Sequence, residues 1–340
     1  MRRAVKTISI VIIAAFFLIA VLPGIMEIKS SFSRAARGGT SYENRAATIK
    51  NAIYYKLFKT SGNSQVIAGK DGWLYYAPTV NDFTGAGTLS DDEIKQIADS
   101  FSRVNRLCEE HGAKLTVIIA PNKNEVYPEH MPDMFKKSEK ETNLDKLLNA
   151  LSGAGIDAPD MRKMLSGEPD LYYKTDTHWN AKGAAVAADH IIEKYAPETE
   201  YRYSGEVAGS RDGFKGDLYG LLFPDRKTDE KELTEKTYLF DGKPAYRYVE
   251  QPASMMDIEI ETTGIDAGGG KLLVYRDSFG SELIPLLSGS FEYARYLRSN
   301  MPYELEFIKT DEPDAVVFVI AQRNIPTLLT GSLDDNDIKG

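Results

Sequence analysis

The sequence predicts a three-layer α/β domain on a mainly parallel sheet, preceded by a segment directed to a membrane. Two patterns carry the fold expectation. Three runs, Lys114–Ala120, Lys271–Tyr275 and Ala315–Ile320, are continuously apolar, as strands buried on both faces are, and each stops abruptly at a polar loop. The segments between them read as helices, and strands alternating with helices fold into a parallel sheet covered on both faces.

The whole-chain numbers narrow the function classes. The chain has 340 residues, 42% of them apolar and 27% charged, enough for a sizeable core in one large or two small domains. A net charge of −9 argues against a nucleic-acid partner, which calls for a basic face, and leaves an anionic polymer only local basic patches. The single cysteine, Cys108, excludes an internal disulfide framework and reads as a buried thiol in a helix. No Cys/His cluster has metal-ligand spacing, so neither a metal nor a cofactor is expected.

At the N-terminus Arg2, Arg3 and Lys6 precede an apolar run from Ile8 to Leu22. Basic residues ahead of such a run hold the start in the cytoplasm and send the rest across. The run is short for a spanning helix, and Leu22-Pro23-Gly24-Ile25-Met26 is a poor cleavage site, so an uncleaved anchor and a cleaved signal peptide both stay open. Either way the body of the protein is expected outside the cytoplasm. The expected division is an anchor over 1–27, a polar stalk over 28–47, a catalytic domain over 48–331 and a polar tail over 332–340.

Within the domain, Ile49 to Lys59 reads as a modest helix. Val66 to Tyr76 reads as a hairpin turning on Lys70-Asp71-Gly72. Ser90 followed by Glu93 is a capping box, opening a helix with Ile94, Ile97, Phe101, Val104 and Leu107 on one face and ending at His111-Gly112. After Lys114–Ala120 comes Pro121-Asn122-Lys123, a loop at the C-terminal end of a strand, where open α/β sheets place their sites. Thr142 to Leu151 reads as a helix and Ile156 to Asp160 as a short strand. An Ala- and Gly-rich helix from about Asn180 to Tyr195 implies something packed closely upon it. His111, His130 and His190 read as structural or solvent-facing. Glu198 to Gly269 is the least legible stretch, and the charged run Asp229 to Glu235 reads as a solvated loop. Ser281 to Leu287 reads as the helix after the second strong strand.

Two stretches carry chemistry: Tyr172-Tyr173-Lys174-Thr175-Asp176-Thr177-His178-Trp179-Asn180, and Arg276-Asp277-Ser278-Phe279-Gly280 at the end of Lys271–Tyr275. A serine hydroxyl needs a base to remove its proton, imidazole titrates near neutrality, and a carboxylate on its other nitrogen fixes the tautomer. Asp176 and His178, at i and i+2, can meet in an extended segment or in a turn. Ser278 lies at a strand-to-helix connection where its N–H can face a developing oxyanion, with Asn122 or Arg323 as second donor. Asp277 and Ser278 could also simply cap the helix.

These motifs resemble the SGNH hydrolase-like domain of the alginate O-acetylation proteins AlgX and AlgJ and of the related DHHW proteins. The resemblance rests on Tyr-x-Lys-Thr-Asp-Thr-His-Trp-Asn and Asp-Ser-Phe-Gly. It is supported by Gly69-Lys70-Asp71-Gly72-Trp73-Leu74-Tyr75-Tyr76, Pro121-Asn122-Lys123, Gly216-Asp217-Leu218 and Arg323-Asn324, and it covers about Tyr42 to Leu329. It implies an SGNH-type serine O-acetyltransferase, or an acetylesterase, acting on an exported polysaccharide, with Asp176, His178 and Ser278 as triad. Around them it implies oxyanion and substrate contacts drawn from Asn122, Lys123, Arg276, Arg323, Asn324, Trp179 and Tyr275. A membrane-bound O-acyltransferase would be the acetyl-donor partner. Two departures stand out. Arg276 replaces the small Gly commoner in the family, where it would narrow the site or bind substrate. No carbohydrate-binding module is legible after the domain, so polymer binding is expected to use the domain itself or a partner.

Overall fold

The three predicted parallel strands lie side by side at one end of a single sheet. A computed structural model of the protein describes residues 40–199, 207–226, 231–235, 239–240, 243–298 and 303–330. Strand β3 (Lys114–Ala120), β6 (Gly269–Arg276), β7 (Phe291–Arg298) and β8 (Ala315–Ala321) form the parallel part, β8 pairing with both β3 and β6, and β6 with β7. Two antiparallel strands, β5 (Glu259–Gly264) and β4 (Tyr246–Tyr248), extend the β7 edge, giving the order β3-β8-β6-β7-β5-β4. The sheet is therefore a mixed one of six strands.

Strand alternation splits the core into two layers. One face of the sheet, with Ile118, Leu272, Val274, Val317 and Val319, packs against helix α4 (Ala181–Tyr195). The other, with Leu115, Val117, Leu273, Phe318 and Ile320, packs against α2 (Asp91–Glu110) and α3 (Asn143–Gly153). The close packing expected of α4 is present: its Ala184, Ala185, Ala187 and Ala188 are buried, and a Cβ on Gly183 would lie 2.4 Å from Leu171 O. The capping box at Ser90 is made, with Glu93 N donating to Ser90 Oγ at 3.2 Å and Ser90 N to Glu93 Oε2 at 2.8 Å. Gly112 follows α2 with φ 76°. The hairpin of β1 (Val66–Ala68) and β2 (Leu74–Tyr76) turns through Asp71 and Gly72, both at positive φ.

Four local expectations change. Helix α1 (Thr40–Phe58) begins at Thr40, not Ile49, so the end of the expected stalk is helical; Glu43 in its first turn suits the positive end of the helix dipole. Lys231–Glu235 is a strand paired antiparallel with Val207–Asp212, not a solvated loop. Ile156 to Asp160 contributes only a bridge between Asp157 and Thr116. The segment after β6 opens as a 3-10 turn over Ser278–Leu283 before a short helix, Ile284–Leu287. Strand β7 was not anticipated, because its charges break the apolar pattern; they are paired instead, Tyr293 OH donating to Glu261 and Arg295 bridging Glu259 and Asp311. The expected anchor over 1–27 and the tail over 332–340 lie outside the described residues, among which no helix is long and apolar enough to cross a membrane.

Candidate active site

Both chemistry-bearing loops sit at the same edge of the sheet. The strand ends of β3, β6 and β8 share that edge because the three are parallel neighbours. The nucleophile turn is fastened there by Asp277. Its backbone N–H donates to Val319 O at 3.1 Å. Its Oδ1 accepts from Phe279 N at 2.9 Å, and its Oδ2 from Ala321 N at 2.7 Å and Asn324 Nδ2 at 2.9 Å. Asp277 thus caps the turn and lashes it to the end of β8. The turn is tight enough to need glycine, since a Cβ on Gly280 would lie 2.5 Å from Arg276 Cβ.

The Asp-x-His loop is fastened from three sides. Trp179 Nε1 donates to Phe279 O at 3.0 Å, tying this loop to the nucleophile turn. Lys123 Nζ donates to the carbonyls of Tyr173 at 2.9 Å, Lys174 at 3.0 Å and Asp176 at 2.5 Å. The aromatic hairpin lies over that ammonium, with Trp73 and Tyr75 ring centroids 5.5 Å and 5.4 Å away. On the third side Gly216 lets α5 (Asp217–Leu222) come close: a Cβ there would lie 2.3 Å from Thr175 O. Asp217 then takes the N–H and hydroxyl of Thr177 on its two carboxylate oxygens, at 2.8 Å and 2.6 Å, and its own N–H donates to Asp176 Oδ2 at 2.7 Å.

Held in this way, the three residues form a line. His178 Nδ1 lies 2.6 Å from Asp176 Oδ1, and His178 Nε2 lies 2.8 Å from Ser278 Oγ. The network assigns the Nδ1–H tautomer, with Nε2 accepting from the serine hydroxyl. Asp176 is buried, which by itself raises its pKa. The hydrogen bond and charge of His178 and the N–H groups of Asp217 and His178 outweigh that and hold the carboxyl below the usual range. Asp176 is therefore an ionised acceptor. No acceptor for the Ser278 N–H is found among the described residues, so this donor stays free beside Oγ. Asp176, His178 and Asp217 bring three possible metal-ligand atoms within 4.8 Å of one another. Each is already committed to an N–H, a hydroxyl or the imidazole, so the group is saturated as a relay.

The other site residues read from the sequence divide in two. Asn122, Arg323 and Asn324 border one cleft, as their positions after the neighbouring strands β3 and β8 imply. Arg323 carries its guanidinium 5.1 Å from the Phe279 ring centroid and 5.8 Å from that of Tyr76. Four residues are corrected. Lys123 is buried and spent on three carbonyls. Trp179, fully buried, is a tie between loops. Tyr275 lies in the α2/α3 layer, its hydroxyl donating to Glu304 O at 2.7 Å and its ring stacked on Phe318. Arg276 neither narrows the site nor faces it. It is fully buried, bonded to Ser281 Oγ at 2.9 Å and Asp257 O at 3.0 Å, and burial together with the charge of Arg298 pushes its pKa down to about 10. Asp217 and Asp277 are the supports missing from the expected set. The Gly216-Asp217-Leu218 motif and the acid directly before the serine were their signals.

Comparison with known proteins places the fold. Residues 66–239 match the model of the family described as SGNH hydrolase-like domain, acetyltransferase AlgX, a span that includes Asp176, His178 and Asp217 and stops short of Ser278. A protein of Pseudomonas syringae pv. tomato named "Probable alginate O-acetylase AlgJ" is 34% identical over 179 residues, covering 50% of this chain and 44% of the relative. The chain thus spans less than half of that relative's length. Among solved structures, Bacillus cereus PatB1 with a sulfonyl adduct superposes with a TM-score of 0.55 at 18% identity, covering 76% of this chain and 95% of that one. The O-acetyltransferase domain of Pseudomonas putida AlgJ gives 0.53 at 18%, covering 80% and 99%. At such identity the structures show a shared fold, while the sequence match shows kinship: this chain belongs to the family of the SGNH hydrolase-like domain of the acetyltransferase AlgX.

Proposed function

We propose that this chain is an extracytoplasmic serine O-acetyltransferase that places acetyl groups on an exported or cell-envelope polysaccharide. The observation that carries the reading is the imidazole of His178 held between Asp176 at 2.6 Å and Ser278 Oγ at 2.8 Å. In the first half-reaction Ser278 Oγ attacks the acetyl carbonyl of a donor while its proton passes to His178 Nε2. The carbonyl oxygen gathers charge next to the free Ser278 N–H. Asp176 stabilises the imidazolium, which returns the proton to the departing donor group, leaving acetyl-Ser278. In the second half-reaction a sugar hydroxyl gives its proton to His178 Nε2 and attacks the acetyl-enzyme. The imidazolium then gives that proton to the departing Ser278 Oγ, so the products are the O-acetyl sugar and free Ser278 beside a neutral His178.

The relatives' names support an acetyl transfer to polysaccharide. An esterase shares the first half-reaction and differs only in passing the acetyl group to water. Acetate release from a chromogenic acetyl ester, measured with and without a glycan oligomer, decides: a transferase moves acetyl mass onto the glycan, whereas acetate release unaffected by glycan, with no acetylated product, would leave an esterase. A chain inert towards both would be a silent component of an export complex. The catalytic unit is assigned to 48–331, held outside the cytoplasm by the apolar segment of 1–27 and charged by a membrane-bound O-acyltransferase. An alkaline phosphatase fused after Gly340 should be active in cells, and an inactive fusion would refute export.

A further inference from the structure

The cleft bordered by Asn122, Arg323 and Asn324 points to the class of sugar that enters it, an inference resting on the transferase reading above. Its volume is about 390 Å³, and it runs between Tyr76 and the turn after β8. Two residues of its wall touch the neighbours of Ser278 in the chain: the Arg323 guanidinium lies over Phe279, the residue after it, and Asn324 donates to Asp277, the residue before it. A small recess lined by Asn122, Lys123, Thr177 and Arg323 shares Asn122 and Arg323 with the cleft, and the Lys123 ammonium there is spent on three carbonyls.

The wall holds one side chain that the fold does not explain. Asn122 is 2% exposed, yet among the described residues neither its amide nitrogen nor its amide oxygen has a partner. A buried amide left unpaired weakens a fold, so such a group calls for another reason. Asn122 lines both the cleft and the recess, and a vicinal diol supplies the donor and the acceptor it lacks. The remaining polar wall is amide-rich, with Asn81, Gln322 and Asn324, and holds one charge of each sign, Arg323 and Asp82. Asp82 accepts a hydrogen bond from Gln322 Nε2, and burial raises its pKa. A wall built for a uronate would carry a surplus of cations, whereas the one cation of this cleft, Arg323, is matched by Asp82, in a chain whose net charge is −9.

We propose that this cleft is the acceptor subsite and that it takes an uncharged hexose unit, plain or N-acetylated, in preference to a uronate. Asn122 pairs with adjacent hydroxyls, and the sugar's free hydroxyl is directed past Arg323 to acetyl-Ser278. The test is calorimetric binding to the full chain of tetramers of glucose, mannose and N-acetylglucosamine against a mannuronate tetramer, with melting curves alongside. At least one neutral tetramer should bind at least about tenfold tighter than the mannuronate. Asn122→Ala should weaken it by about 3- to 10-fold, the worth of one or two hydrogen bonds, without lowering the melting temperature of the free protein. Asp82→Asn should narrow the preference for the neutral tetramer. Tighter binding of mannuronate, no binding of any neutral tetramer, or an Asn122→Ala variant that binds as before or melts lower each overturns the proposal. Hydrolysis of a chromogenic acetyl ester by the unaltered chain, read in parallel, separates this from the reaction itself. Ester cleavage without sugar binding sinks the cleft alone, and sugar binding without cleavage sinks the reaction alone.

Discussion

Among the described residues two Asp–His pairs have a shielded carboxylate, Asp176–His178 and Asp157–His190, while that of a third, Asp71–His130, is exposed; the first two differ in what the second ring nitrogen faces. At the site edge, Asp176 touches His178 at 2.6 Å, and the second ring nitrogen of His178 faces a serine. On the side chains of β3 and α4, Asp157 touches His190 at 3.2 Å, but the same carboxylate oxygen also takes Lys194 Nζ at 2.7 Å and Thr116 Oγ1 at 2.7 Å. Asp157 is neutralised by a lysine, while Asp176 is held by backbone N–H groups and by the imidazole itself. An aspartate that shares its charge with a lysine has less to offer an imidazolium, and no hydroxyl is recorded on the ring of His190 among the described residues. An Asp–His contact is therefore only part of a relay. What surrounds the carboxylate, and what faces the far nitrogen, decide the rest.

Replacing the two histidines is the most severe way to break this comparison. His178→Ala and Ser278→Ala should each lower acetyl transfer by about 10⁴-fold or more, because one removes the base of both half-reactions and the other the acyl carrier. His190→Ala should stay within about twofold of the parent rate. Initial rates on a chromogenic acetyl ester, with circular dichroism melts to confirm folding, check all three. Equal losses at His178 and His190 would erase the distinction.

Next in size is Asp176→Asn. It keeps the contact but favours the wrong tautomer, and should cost up to about 10⁴-fold, less than the loss of His178 in the same assay. Asp157→Asn should leave the rate unchanged. Smaller again is Asp217→Ala. It frees the Thr177 N–H and hydroxyl and loosens the loop that aims His178, and roughly 10- to 100-fold in kcat is expected, with KM for the ester little changed. A loss confined to KM would instead place Asp217 in substrate binding.

The smallest effect concerns stability in acid. Burial alone would raise the pKa of Asp157, but hydrogen bonds from His190, Lys194 and Thr116 hold it well below the usual carboxylate range. A carboxyl whose folded pKa is depressed stabilises the fold fully above its unfolded pKa of about 3.9, and that stabilisation is lost as pH falls through the folded value. The melting temperature should therefore fall below about pH 4, and Asp157→Asn should fall less steeply there while costing about 1 kcal/mol at neutral pH. Parallel acid profiles for the parent and the variant would contradict this.

The same contrast explains what could be read from the sequence. Strands β3, β6 and β8 were legible because burial on both faces leaves an unbroken apolar run. The line of contacts from Asp176 through His178 to Ser278 was legible because Asp-x-His lies within one loop, and Asp-Ser-Phe-Gly follows one such strand. Strand β7 was not, since Glu292, Arg295 and Arg298 interrupt it and only neighbouring strands reveal what pairs with Arg295. Lys123 looked like a ligand-binding cation because it follows a strand. Its partners are carbonyl groups some 50 residues away in sequence, and no side-chain pattern announces a carbonyl. Tyr275 and Arg276 were drawn into the site by adjacency to Ser278, although alternation along a strand and a tight turn send their side chains into the core. Asp217 lies in a recognisable motif, but the motif does not disclose its role, because its contacts run largely through backbone N–H groups.

The central claim is that Ser278 is the nucleophile and His178 its base. Labelling with a fluorophosphonate tests it most directly, followed by tryptic digestion and fragment-ion mass analysis of the peptide from Asp277 to Arg295. The expected result is one adduct, on Ser278, absent from Ser278→Ala and formed far more slowly in His178→Ala. An adduct on another serine, undiminished labelling of Ser278→Ala, or an unlabelled parent protein would contradict the account.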